Sequence, residues 1–253
     1  MTIQNPANDS GISAEDLVRD LCALGVEPGD ILFVHSSLRS LGSVEGGVAT
    51  VEAALEASIA PGGLLLMPSF NLVERSQRAA TWNIATTPST VGYLTEFFRL
   101  MPGTVRSDHY SHSVAARGRG AAEFVTGHLD QEGLEAPWDL APWGRTFGTH
   151  SPFVKAYERG GKILMLGVDY HSATFVHFVE TRLWNETRNT NPKQDYVFLH
   201  RERLGEYWDQ VGRLRRGTVG DADCRLFGIR DFVDTLLDLV RREPQNWCRY
   251  RIQ

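Results

Sequence analysis

Ile31-Leu-Phe-Val34, Gly46-Gly47, Val48–Ile59, Pro61-Gly62-Gly63 and Leu64-Leu-Leu-Met67 follow one another near the start of the chain, and their reading decides the fold. Ile31–Val34 is an uninterrupted apolar run that enters from Gly29-Asp30 and leaves into Ser36-Ser37. Such a run between turn formers reads as a strand buried on both faces. Val48–Ile59 is apolar-periodic, rich in Ala and Glu, and stopped by Pro61-Gly62-Gly63, so it reads as a helix. Leu64–Met67 is a second buried strand. Strand, helix and strand in this order form a βαβ unit, whose crossover sets the two strands parallel.

Outward from this unit, Ser13–Leu24 is a helix with Ser13 at its N-cap and Leu17, Leu21 and Leu24 on one face. Thr90–Met101 reads as a helix ended by Pro102-Gly103, Ser113–Ala116 as a strand, and Ala121–His128 as a short helix. Pro152–Arg159 is helical, and Lys162-Ile-Leu-Met-Leu-Gly167 is the clearest strand in the chain. Ala173–Leu183 and Arg230–Arg242 read as helices, and Tyr196–His200 is strand-like. Arg75–Ala85 shows no clean period. Gly127–Ser151, with its Pro, Gly and Trp residues, reads as a long ordered loop of the kind that builds substrate sites. The expectation is a single α/β domain over residues 1–253, with a loose tail over residues 1–10. Its core is a mixed, largely parallel central sheet flanked by helices, with long loops forming the substrate site.

Composition removes several function classes. The longest apolar run, Gly62–Pro68, is far short of the ~20 residues a membrane helix needs, so no membrane partner is expected. The opening Met1-Thr-Ile-Gln-Asn-Pro6 lacks the order of a signal peptide. Cys22, Cys224 and Cys248 are odd in number and widely spaced, which argues against a disulfide scaffold or a zinc knuckle and for a cytoplasmic protein. Lys and Arg total 26 against 31 Asp and Glu, a net charge of −5, which argues against nucleic-acid binding.

Three segments carry chemistry. In Val34-His-Ser-Ser-Leu-Arg-Ser-Leu-Gly42, a strand opens into hydroxyls and glycines that lead into a helix. That arrangement suits phosphates, or else is a Ser-rich helix cap. It matches neither the P-loop nor the dinucleotide fingerprint. Arg106-Ser-Asp-His-Tyr-Ser-His-Ser113 offers Arg106, His112 and Ser113 to an anionic ligand, and no ligand spacing there suggests a metal. In Leu166-Gly-Val-Asp-Tyr-His-Ser-Ala-Thr-Phe-Val-His-Phe-Val-Glu180, polar groups follow the carboxyl end of the best strand, where α/β sheets place ligand sites. Thr174, His177 and Glu180 recur at threes and share a helix face. A His beside a carboxylate suits general base catalysis; the alternative is an ordinary polar helix face.

Together these pieces resemble the aminoglycoside 3-N-acetyltransferase family, which is distinct from the common small acetyltransferase fold. The resemblance rests on His35-Ser-Ser-Leu-Arg-Ser-Leu-Gly42, Gly46-Gly47, Gly63-Leu-Leu-Leu-Met-Pro68, Thr87-Pro-Ser89 and Phe97-Phe-Arg99. It continues through Arg106-Ser-Asp-His109, His112-Ser-Val-Ala115, Phe147-Gly148, Ser151-Pro-Phe-Val-Lys155, Gly161–Gly167 and Thr174…His177…Glu180. Their order agrees over Val26–Arg188, with a weaker echo in Ala222–Asp234. The resemblance implies an acetyl-CoA-dependent transferase that acetylates an amino group of an aminoglycoside-type antibiotic, with no metal. An alternative within the family is a biosynthetic N-acyltransferase for a smaller or anionic amine. The resemblance puts CoA on Ser36, Ser37, Leu38, Arg39, Arg106, His112 and Ser113, and the catalytic base on His177. Glu180 and Asp169 are the candidates to orient that base, and Thr174 is the candidate to stabilise the oxyanion.

The chain departs from the family in ways that bear on the substrate. Six positions before the base, where family members acting on aminoglycosides commonly carry an acid, stands His171. Trp82-Asn83 replaces a loop acid, and Tyr110 replaces the usual Pro. Arg182–Arg216 is rich in arginine. Glu74, Asp108 and His171 are the expected substrate contacts, and the missing acids predict weak binding of polycationic antibiotics.

Overall fold

The computed structural model describes residues 11–73 and 75–251; the expected tail 1–10 and Glu74 lie outside the described residues. The strands are β1 (Ile31–Ser36), β2 (Leu64–Pro68), β3 (Val105–Arg106), β4 (Val114–Gly118), β5 (Lys162–Leu166), β6 (Val197–Leu199), β7 (Arg215–Val219), β8 (Ala222–Gly228) and β9 (Cys248–Arg251). The first five helices are α1 (Ala14–Leu24), α2 (Val48–Ile59), α3 (Arg78–Thr81), α4 (Tyr93–Leu100) and α5 (Ala121–Val125). They are followed by α6 (Pro152–Glu158), α7 (Phe175–Arg188), α8 (Arg201–Val211), α9 (Ile229–Arg242) and α10 (Pro244–Trp247).

Seven strands form one sheet in the order β3-β4-β2-β1-β5-β8-β7, and β6 pairs with β9 in a separate ribbon. The sheet is mixed. Its parallel part is confined to β2-β1-β5, joined through α2 as the βαβ pattern requires. Every pairing outside these three is antiparallel. The parallel share is therefore smaller than expected, because β7 and β8 close by a tight hairpin rather than a crossover. That hairpin turns at Gly220 with φ +55°, a conformation two-residue turns demand.

Alternate residues of the central strands feed two cores. Phe33, Leu64, Leu66, Ile163 and Met165 pack with α6, α7 and α9 on one face. Leu32, Val34, Leu65, Met67 and Leu164 pack with α1 and α2 on the other. Ser13 caps α1 through a capping box with Asp16. β1, β2 and β5 are thus buried on both sides, which leaves only their carboxyl ends to offer polar atoms.

One buried carboxylate predicts a pH effect. Glu52 on α2 is 1% exposed, and burial, reinforced by the charge of Glu56 and offset by Arg117, pushes its carboxyl up to about 7. Between the ordinary value of 4.5 and about 7 the folded chain holds this proton and the unfolded chain does not. Stability therefore falls as pH rises through that window and stays lower above it. Glu52→Gln is expected to gain about 1–2 kcal/mol at pH 8 over its effect at pH 4, equivalent to roughly 2–8 °C in Tm. A Tm difference between variant and wild type that is equal at both pH values would contradict the assignment.

Candidate active site

A cavity of about 600 Å³ opens at the carboxyl ends of the parallel strands. β1 delivers His35 and Ser36 to its wall, and the His35 Nε2 and Ser36 Oγ atoms are buried without a hydrogen-bond partner among the described residues. Burial pushes the His35 imidazole down to about 3, with Arg201 adding to the shift, so the ring is neutral. Orphaned polar atoms of this kind are costly in a finished core and are expected where a ligand docks.

α7 supplies the central pair. His177 Nδ1 lies 2.5 Å from Glu180 Oε2, one helical turn along. Glu180 is fully buried and saturated, with Oε1 accepting from the Leu199 N–H at 2.7 Å and Oε2 accepting from the Tyr196 hydroxyl at 3.1 Å. Burial and the adjacent Glu180 charge hold the Tyr196 hydroxyl well above its ordinary value, so it remains a donor. A carboxylate fixed by three donors holds the proton on Nδ1 of His177 and leaves Nε2 as the acceptor. That Nε2 meets the guanidinium of Arg201, whose other arm donates to the His171 carbonyl at 2.8 Å.

Arg201 opens α8, whose seat is fixed by Gly205. A Cβ on Gly205 would collide with the Tyr170 ring, so only glycine allows the helix to rest on that ring. The long loop 127–151 contributes Trp138, stacked on His112 at 5.5 Å and edge-on to His177 at 5.5 Å. Asp139 ties the loop by accepting from the Ala136 N–H, the Thr146 N–H and the Thr146 hydroxyl. The half-buried His112 ring is held well below its ordinary value, first by desolvation and then by His177.

The structure brings together Ser36, His112, His171, Thr174, His177 and Glu180 along this cavity. It does not place Asp169 there. That carboxylate is exposed and caps the turn that follows it, accepting from the His171 N–H at 3.0 Å, so Glu180 alone orients His177. Asp108 accepts from the Trp82 indole at 2.7 Å, away from the cavity lining. Arg106 donates to Ser113, Ser69, Thr87 and Ile84 and lies 4.4 Å over the Trp82 ring. Ser113 in turn donates to the Ser107 carbonyl. Arg106 and Ser113 therefore brace the loops beside the site. Ser37 is engaged by Leu166 and Ser40, Leu38 packs on the core, and Arg39 is exposed; none of the three lines the cavity.

The basic segment also resolves. Arg182 pairs with Asp234, Arg188 with Glu135 and Arg216 with Asp209, so among the arginines of that segment Arg201 lines the cavity. Arg201, Tyr196, Trp138 and the Leu199 N–H went unnoticed in the sequence as site groups, because only tertiary folding brings them to α7. Among the described residues no group of three or more His, Cys, Asp or Glu side chains could hold a metal ion, and no helix is long and apolar enough to cross a membrane.

A family model described as aminoglycoside 3-N-acetyltransferase matches residues 33–241. The chain is 30% identical over 246 residues to aminoglycoside N(3)-acetyltransferase IV of Salmonella sp., covering 90% of this chain and 87% of that one. It is similar in structure to aminoglycoside acetyltransferase AAC(3)-IVa in complex with a gentamicin. That likeness has a TM-score of 0.73 at 26% identity and covers 96% of this chain and 92% of the other. The fold is also that of AAC-IIIb bound to CoASH, with a TM-score of 0.72 at 22% identity over 91% of this chain and 97% of the other.

Proposed function

Since the chain belongs to the aminoglycoside 3-N-acetyltransferase family, we propose that it carries an acetyl group from acetyl-CoA to an amino group of an aminoglycoside-type amine, with His177 as the general base. The observation that carries the reading is the His177–Glu180 pair, set at the cavity with Nδ1 on the carboxylate and Nε2 left to accept. An alkylammonium is no nucleophile until it loses a proton. That first proton leaves to solvent, and His177 Nε2 receives a second one from the same nitrogen as the free amine attacks the thioester carbonyl. The tetrahedral oxyanion then collapses, the carbon–sulfur bond breaks, and the proton passes to the departing CoA thiolate. The unpartnered Ser36 hydroxyl and Thr174 are the groups beside this centre suited to the oxyanion. Glu180, bonded to Nδ1, holds the ring in place through the transfer.

This reading takes the chain as one α/β domain, supported by two cores that share a single sheet. It places the enzyme in the cytoplasm, in keeping with the free thiols of Cys22 and Cys224. Two measurements test it. Acetyl-CoA or CoA is expected to raise Tm, since a ligand of the native state at a hundredfold excess over its Kd stabilises by ~2.7 kcal/mol. Acetyl-CoA with kanamycin or gentamicin should yield one acetylated amine per free thiol. No Tm shift at millimolar CoA with folded protein, or thiol release without an acetylated amine, would contradict the reading.

A further inference from the structure

The charged groups around the cavity are unequal. Arg75, Arg78, Arg201 and Arg249 line it, and Glu180 is the one carboxylate among the described lining residues. Both Glu180 oxygens are already taken by Leu199, Tyr196 and His177. His35 and His112 are neutral, and His171 faces Glu202 at the rim. Arg78 donates to the Leu72 and Val73 carbonyls, and Arg201 to a carbonyl and a ring nitrogen, so neither spends its charge on a described carboxylate. Arg78, Arg201 and His112 line the same cavity.

The CoA phosphates do not account for Arg201. A long uncharged pantetheine arm separates them from the thioester, whereas Arg201 touches the proton-accepting nitrogen of His177. A cation at that point repels the ammonium groups of a polycationic acceptor. It equally favours the free-base form of the amine that must attack. A planar guanidinium also matches a phosphate or carboxylate in a paired geometry that an ammonium ligand does not offer.

Resting on the acetyl-transfer reading above, we infer that the preferred acceptor is an amino sugar or similar amine that carries its own oxyanion, a phosphate or carboxylate, received by Arg201 and Arg78. The amine faces His177, and the anion replaces the contacts that Arg201 makes in the free protein. His171 stands at the rim where an acid was expected, and the expected contact Asp108 is turned to Trp82, which points the same way.

The test compares glucosamine, glucosamine 6-phosphate, glucosaminuronic acid and kanamycin at saturating acetyl-CoA. At least one anionic sugar is expected to exceed glucosamine in kcat/KM by about tenfold or more, and to exceed kanamycin, with the phosphate and carboxylate arms identifying the anion. Arg78→Gln should remove most of that preference, Arg78→Lys should keep part of it, and KM for acetyl-CoA should hold in both. Arg75→Gln, which breaks no described hydrogen bond, checks the charge effect without disturbing the loop. Kanamycin turned over best, with no gain from either anion, overturns the inference and keeps the acetyl-transfer reading. A rise in KM for acetyl-CoA in the arginine variants, with acceptor preference unchanged, assigns the cations to the donor and also overturns it. No transfer to any amine overturns both.

Discussion

His177→Ala is expected to lower kcat by about 10²–10⁴, the usual contribution of a positioned general base. Glu180 on the other ring nitrogen leaves Nε2 of His177 as the acceptor, and in the free protein that atom meets Arg201. Alanine removes the proton acceptor without unseating Glu180, which keeps Leu199 and Tyr196. The CoA-induced rise in Tm should therefore persist. Steady-state turnover with a saturating amine and a thermal shift with CoA separate the two effects. Near-normal turnover in a folded variant would remove His177 from the mechanism, and loss of the thermal shift would make its role one of binding.

Glu180→Gln is expected to lower kcat by about 10²–10³ with little change in KM for acetyl-CoA. The neutral amide presents an N–H where the carboxylate accepts, so Nδ1 of His177 must become an acceptor and Nε2 must carry the proton. A base with the wrong tautomer retains its geometry and loses most of its rate. Nitrogen NMR of the imidazole would register the exchange directly. Unchanged kcat with an unchanged tautomer would show that Trp138 and Arg201 suffice to hold the ring, contrary to the account. Tyr196→Phe leaves the carboxylate in place and should cost less than Glu180→Gln.

Much of the fold was legible because burial on both faces writes itself into a strand as an apolar run. β1, β2 and β5 are of this kind, and α1 and α2 carry their caps and stops in the sequence. The outer elements were not. β7 is an edge strand whose Arg215 and Arg216 are exposed, so it shows charge where alternation was sought. α8 opens on polar residues and contains Gly205, which discourages a helix by propensity and is needed only because Tyr170 presses on it.

The site divides along the same line. His177 and Glu180 stand one helical turn apart, and that spacing is visible in the chain. The groups that make the pair work come from elsewhere: a backbone N–H of β6, the hydroxyl of Tyr196 and the guanidinium of Arg201. A backbone donor leaves no mark in side-chain spacing. Arg106 shows the reverse case, a residue whose contacts in the folded chain the sequence does not show. Its position beside two histidines suggested an anion, yet desolvation holds its guanidinium down to about 10, and loop carbonyls take its donors.

The structure of a ternary complex with CoA and an amine substrate tests the central claim most directly. The account predicts the acceptor nitrogen about 2.6–3.2 Å from His177 Nε2, in the place that Arg201 holds in the free protein, with the CoA thiol beside Ser36. An acceptor nitrogen seated away from His177, with the Arg201 contact intact and the thiol reaching the amine, would contradict it.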